Sequence, residues 1–192
     1  GSTEFCELFL DDVRIPVTNR VGEENDGWRV TNVTLSFERG TAFVSEMLQS
    51  IELVKHLASV AKRVTKGSAT AWEDAGIRRE LGHLYADLEA LWALTKRNIS
   101  LAQRTGTVGL GGSVFKLHYS EARHRLGDLA MRILERASLS MDDVGELASG
   151  RHVEGEIHAI SISIAAGTSQ IQRNIVAERM LGLPREPAWT SS

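Results

Sequence analysis

From Trp28 onward, apolar residues recur every three or four positions along most of this chain. Val30, Val33, Phe37, Thr41, Val44, Leu48, Ile51, Val54 and Leu57 form one uninterrupted stripe, the pattern of a helix with a single buried face. Asn25 or Asp26 can cap its start and Gly67-Ser68 marks its end. The spacing therefore predicts one rod of about 38 residues, ~57 Å long at the α-helical rise. Gly40 inside it costs about 1 kcal/mol relative to alanine and reads as a point of close helix approach. Residues 67–75 read as a loop. A second helix follows, with Leu81, Leu84, Tyr85, Leu88, Leu91, Trp92, Thr95 and Ile99 on one face. Gly106, Gly109, Gly111 and Gly112 then break the chain, and a third helix buries Val114, Leu117, Leu126, Leu129, Ala130, Ile133 and Leu134. The polar, glycine-containing stretch from Ser138 to Gly155 reads as a long loop. A fourth helix is expected from about Glu156 to Ile164, and a short last one is closed by Gly182 and Pro184.

The sum is an all-α fold, an up-down four-helix bundle with an extra C-terminal helix. Ahead of it, residues 3–20 alternate in places (Phe5, Leu8, Leu10, Val13, Ile15) and stop at Pro16, which predicts one strand. A single strand is unstable alone, so this segment reads as what remains of a β domain. The expected organisation is the tail of a β domain and a linker over 1–24, a helical bundle domain over 25–187, and a tail over 188–192.

Composition narrows the partners. A net charge of −3 with no basic run argues against nucleic acid. No apolar run reaches the roughly 18–20 residues that span a bilayer, so no membrane partner is expected. Cys6 is the only cysteine, which rules out a disulfide within the chain and makes a reducing cytoplasm the expected location. The six histidines (His56, His83, His118, His124, His152, His158) show no metal-ligand spacing, and no metal is expected.

Two places carry candidate chemistry. The first is the run Ala165-Ala166-Gly167-Thr168-Ser169-Gln170-Ile171-Gln172-Arg173-Asn174. Here a Gly-Thr-Ser turn opens the last helix, with Thr168 or Ser169 as N-cap. The helix start offers free N–H groups and two hydroxyls to an anion or a polar cofactor edge. The second is Glu38 in Leu35-Ser36-Phe37-Glu38-Arg39-Gly40. Its helical neighbours are Thr34, Leu35, Thr41 and Ala42, with Ser45 a further turn on; apart from Leu35 these are small, so the carboxylate can reach into a pocket at the edge of the core. From the residues alone the plainer reading of Glu38 is a surface carboxylate paired with Arg39 or another Lys or Arg, and of Thr168 and Gln170 ordinary cap and first-turn residues.

The Ala165–Pro187 block closely resembles the C-terminal signature of acyl-CoA dehydrogenases. Phe9-Leu10-Asp11-Asp12-Val13-Arg14-Ile15-Pro16 with Val21–Trp28 resembles the exit from that family's β domain. The resemblance implies roughly the second half of a dehydrogenase that removes the α-proton of an acyl-CoA while the β-hydride passes to N5 of FAD. In most members the base precedes the terminal Gly-Thr turn, where this chain has Ala166. A smaller set, including isovaleryl-CoA and long-chain enzymes, carries it in a Glu-Arg pair on the first bundle helix, and Glu38-Arg39 looks like that pair. The resemblance thus implies Glu38 as catalytic base, Arg39 at the substrate, and Ala166, Gly167, Thr168 and Gln170 at FAD. Electron-transferring flavoprotein is the implied acceptor.

The chain also departs from the family. The usual Arg-x-x-Phe-Gly is replaced by Lys62-Arg63-Val64-Thr65-Lys66-Gly67-Ser68, and Gly-Gly-x-Gly by Leu134-Glu135-Arg136-Ala137-Ser138. Both family elements serve a neighbouring subunit's cofactor. The resemblance therefore implies a homo- or hetero-oligomer with a related dehydrogenase subunit, and bacterial relatives point to a bulky or steroid-side-chain acyl-CoA. The alternative is a non-catalytic partner or scaffold subunit of such a complex. As the isolated fragment, the chain is expected to be colourless and inactive.

Overall fold

The computed structural model describes residues 6–41, 43–106 and 109–185, with the backbone alone for residues 36–41. The chain divides into two units, Gly1–Thr34 and Leu35–Ser192. Six α-helices occur among the described residues: α1 (Gly27–Thr41), α2 (Val44–Ala61), α3 (Ala75–Thr105), α4 (Gly111–Leu134), α5 (Gly150–Ile164) and α6 (Ser169–Ile175). The expected all-α bundle with an extra terminal helix is the architecture found.

In the first unit, residues 6–16 form no strand; a 3-10 turn at Val17–Asn19 follows. The period-2 pattern is present, but residues 6–16 pair with no strand among the described residues. Leu8, Phe9, Leu10, Val13 and Ile15 are exposed. Asp26 then accepts from the Nε–H of Arg29 at 2.6 Å, closing the first turn of α1.

The second unit holds the core. The apolar stripe predicted one rod from Trp28 to Gly67; α1 instead ends at Thr41 and α2 restarts at Val44 after Phe43. The interruption changes which residues face inward. Met47, Ile51, Val54, Leu57 and Val60 are buried, whereas Leu48 is not. Around Gly67-Ser68 a two-residue antiparallel hairpin forms, β1 (Thr65–Lys66) with β2 (Ala69–Thr70), pairing Thr65 with Thr70 and Lys66 with Ala69. A capping box follows: Glu73 Oε1 accepts from the backbone N–H and the hydroxyl of Thr70, both at 3.0 Å.

Asp74 caps α3, its Oδ1 accepting from the N–H of Gly76 at 2.6 Å and of Ile77 at 3.3 Å. Gly106, at φ 70, ends that helix. Ile77, Leu81, Leu84, Leu88 and Leu91 are its buried face, and Tyr85 and Ile99 fall outside it. α4 is the centre of the bundle and packs against α2, α3, α5 and α6. For that reason it buries polar residues as well as Leu126, Leu129 and Ile133: Lys116, Ser120 and Arg123 all lie inside. Burial lowers the Lys116 ammonium below its ordinary value.

The loop after α4 is shorter than its composition predicts, because α5 begins at Gly150 rather than near Glu156. Gly150 and Gly155 serve close approach. A Cβ on Gly150 would strike the Met141 carbonyl, and the Gly150 N–H donates to Asp143 Oδ1 at 2.9 Å. Gly155 lies against Arg123, whose Nη2 donates to its carbonyl at 2.9 Å. No helix among the described residues is long and apolar enough to cross a membrane.

Candidate active-site turn

The turn between α5 and α6 is built from backbone conformations that ordinary residues avoid. The N–H of Ala165 closes α5 on the Ser161 carbonyl at 2.9 Å. Ala166 and Gly167 then both adopt positive φ, 53° and 89°. For glycine this is free; for alanine the left-handed region costs about 1–2 kcal/mol. Thr168 is the N-cap, as its sequence position predicts, with Oγ1 accepting from the Ile171 N–H at 3.3 Å. The next bond, from the Gln172 N–H to the Thr168 carbonyl at 2.9 Å, starts α6.

What holds the two left-handed residues is Gln172. It is fully buried, and its Nε2 donates to the carbonyls of Ala166 at 3.0 Å and Gly167 at 3.4 Å. Its Oε1 is buried and has no hydrogen-bond partner among the described residues. A Cβ added to Gly167 would stand 2.7 Å from Nε2, so a side chain there would have to push the Gln172 amide aside as well as adopt a left-handed backbone. Sequence reading singled out Gln170 and passed over Gln172. The signal was its place four residues after the cap, on the face of the first turn that looks back under the bend.

Ala166, Gly167 and Thr168 are half-buried and Gln170 is exposed. The turn thus offers a low edge of small residues, the surface a flat ring system can approach closely, and these residues fit FAD in that respect. Glu38 and Arg39 lie in α1, but their side chains fall outside the described residues, as do those of Ser36, Phe37 and Thr41. Of the proposed site residues, the structure accordingly brings Ala166, Gly167, Thr168 and Gln170 together on one bend. α6 continues into a π-helical turn at Val176–Met180, and Gly182, at φ 67, closes it. An ion pair between Arg173 and Glu121 ties α6 to α4.

The sequence profile described as "Acyl-CoA dehydrogenase, C-terminal domain" matches residues 25–181. The chain belongs to the acyl-CoA dehydrogenase family. Among curated relatives, acyl-CoA dehydrogenase IpdE1 of Mycobacterium tuberculosis is 34% identical over 189 residues, covering 97% of this chain and 46% of its own length. The solved ChsE4-ChsE5 complex from Mycobacterium tuberculosis is 26% identical with TM-score 0.76, covering 93% of this chain and 46% of that one. The "Tcur3481-Tcur3483 steroid ACAD" is 25% identical with TM-score 0.69, covering 93% and 45%. This acyl-CoA dehydrogenase chain spans about half the length of the curated relatives it matches most fully.

The two segments that depart from the family pattern meet within the chain. Lys66 Nζ donates to the Arg132 carbonyl at 2.6 Å and lies 3.1 Å from the Glu135 carboxylate, while Arg63 Nη1 donates to the Glu146 carbonyl at 2.7 Å. Beside them His56 Nδ1 and His152 Nε2 share a hydrogen bond of 2.9 Å, a pairing across 96 positions that no spacing rule finds. Burial drives His152 down to about 4, with His56, Arg151 and Arg123 adding to the effect. Burial also lowers His56. An open groove of about 620 Å³ lies between α3 and α4, away from the turn. Its cations are paired, Arg132 with Glu80 and, at its rim, Arg125 with Asp87.

Proposed function

We propose that this chain is the C-terminal bundle of an FAD-dependent acyl-CoA dehydrogenase that introduces an α,β double bond into an acyl-CoA thioester. The observation that carries the reading is the Ala166-Gly167 bend. In a chain of this family, two left-handed residues held by a buried glutamine present a bare backbone edge beside the Thr168 cap. In this reading residues 1–24 are the tail of a β domain, residues 25–187 the bundle and residues 188–192 a tail. The exposed apolar residues between Leu8 and Ile15 support the first of these, since a sheet would cover them.

The chemistry needs one base and one oxyanion donor. Glu38 takes the α-proton, and its position on α1 leaves Ala166 free of any proton-accepting side chain. An ordinary carboxylate near ~4.3 is too weak for a thioester carbon acid. Substrate binding must therefore expel water and raise Glu38 toward neutrality. The backbone N–H of Ala166 donates to the thioester oxygen as charge develops there, a role that needs no side chain. Thr168 and Gln170 hold the cofactor, and Arg39 contacts the substrate. When bound, FAD supplies the hydride acceptor, and electron-transferring flavoprotein takes the electrons onward.

The working assembly is heteromeric, with a related dehydrogenase subunit supplying the contacts this chain lacks. That Arg63 and Lys66 are spent on the chain's own carbonyls supports this, as does the two-component ChsE4-ChsE5 complex. A bulky or steroid-side-chain acyl group is the proposed substrate, in line with the steroid ACAD among the similar structures. The site works in the cytoplasm.

The test is Glu38→Gln in the intact complex. A fall in turnover of about three orders of magnitude or more, with FAD retained, is expected for loss of the base. Undiminished turnover would instead identify a non-catalytic partner subunit.

A further inference from the structure

Strained backbone persists only where its surroundings over-determine it. At the α5–α6 bend Thr168 caps α6, but its hydroxyl bonds Ile171 and touches neither left-handed residue. The group that does is Gln172, with one amide nitrogen on two successive carbonyls. The orientation of that amide is fixed by its neighbours: the reverse placement would set its oxygen against two carbonyl oxygens. Its own oxygen is left buried and unpartnered among the described residues, a loss the bend tolerates.

Those two bonds fix more than the carbonyls. In a trans peptide the C=O and the following N–H lie in one plane and point opposite ways, and no peptide among the described residues is cis. Drawing the Ala166 carbonyl toward Gln172 turns the Gly167 N–H away from it. Drawing in the Gly167 carbonyl does the same to the Thr168 N–H. Because Gln172 is fully buried, both donors are aimed away from the interior. A side chain deep under the bend thereby decides what the bend shows on its outer side.

We propose that Gln172 is the positioning residue of this turn, its amide holding the Ala166 and Gly167 peptides so that the Gly167 and Thr168 N–H groups form a fixed two-donor edge for the cofactor. This rests on the reading of the turn as the FAD edge. It assigns Gln172 no contact with substrate or flavin.

The test uses two variants in the intact dehydrogenase, with FAD affinity measured by flavin fluorescence at about pH 8 and about pH 6. Gln172→Met keeps the length and removes the donor, so it weakens FAD binding about tenfold at both values, the worth of one to two hydrogen bonds. Gln172→Glu weakens it about as much at pH 8, where an ionised carboxylate faces two carbonyls. At pH 6 it recovers most of the affinity, because the protonated acid donates again. Wild type changes little between the two. Equal losses for both variants without recovery at low pH, or affinities equal to wild type, would overturn the proposal.

Hydrogen exchange of the Gly167 and Thr168 amides in the cofactor-free protein gives a second readout. Gln172→Met should alter these two rates about tenfold while the amides of α3 stay as they were; unaltered rates overturn the proposal. If wild type holds no FAD at all, the assignment of the turn to a cofactor fails, and the exchange rates still decide whether Gln172 sets the bend.

Discussion

The α2–α3–α4 side of the bundle and the α5–α6 side are held together by different means. On the first, Met47, Val54, Leu57, Leu84, Leu88, Leu129 and Ile133 form one apolar cluster with Phe115 and Tyr119, and the α3–α4 ion pairs lie outside it. On the second, α5 adds Val153, Ala159 and Ile162, but the connections that define it are polar. Arg123 reaches the Gly155 carbonyl, His152 meets His56, and Gln172 holds the bend. Among the described residues, the buried polar side-chain atoms without a hydrogen-bond partner include His152 Nδ1, Glu156 Oε2 and Gln172 Oε1 on α5 and α6 and Arg123 Nε on α4 facing α5, against Glu46 Oε2 and Lys116 Nζ on α2 and α4. Each such atom costs stability that an apolar contact would not. The first side holds most of the aliphatic core, and the second carries the larger share of these unpaired polar groups.

The contrast is sharpest where a side chain is removed. Leu129→Ala in the aliphatic joint should destabilise the chain by about 2–5 kcal/mol, through lost transfer energy and the cavity left behind. Urea unfolding followed by circular dichroism measures it. A loss under about 1 kcal/mol would mean that the joint can collapse around the gap and that the two sides differ less than their chemistry suggests.

Acid should act on the polar side. The folded-state value of His152 is lowered from 6.5 to about 4, chiefly by burial. At pH above 6.5 both the folded and unfolded states hold it neutral, and stability is unaffected. Between 6.5 and 4 the unfolded state takes up the proton and the folded state does not, so stability falls as pH falls, by on the order of 3 kcal/mol in total. His56 is lowered as well and adds in the same direction. Asp143, which favours the His56 cation, works against the loss, and Arg151 works with it on both rings. Unfolding midpoints measured across this window should be steeper in pH for wild type than for His152→Gln. Parallel curves would place the acid sensitivity elsewhere.

The smallest effect is expected at the seam between the two sides, where Glu135 ends α4 at φ 49 and ψ −117. Glycine tolerates this region and glutamate does not, so Glu135→Gly should gain about 1 kcal/mol, less the contact with Lys66. A rise in thermal midpoint checks it; a fall would show the Lys66–Glu135 pair to outweigh the backbone strain.

Legibility in the sequence followed the same division. The buried faces of α3 and α4 were plain in the period of Leu81, Leu84, Leu88, Leu91, Leu126 and Leu129, since a helix face turned to the core repeats its apolar residues every three or four positions. The break between Thr41 and Val44 was not, because the apolar stripe runs on across it without a gap. The burial of Lys116 and Arg123 leaves no apolar signal in the chain; it follows from the encirclement of α4. At the bend, Thr168 was found as a cap because capping is a local rule. Gln172 was missed because its role depends on peptides five and six residues back being left-handed, which composition does not announce.

The central position of α4 has a consequence for how the chain comes into being. Two of the four helices that surround it, α5 and α6, follow it in the chain and so leave the ribosome after it. A nascent chain that has emerged only as far as Leu134 still carries Lys116, Arg123 and the open flank of Leu126 without cover. Such an intermediate is a natural client for chaperones, and heterologous production should respond to their supply more than to promoter strength.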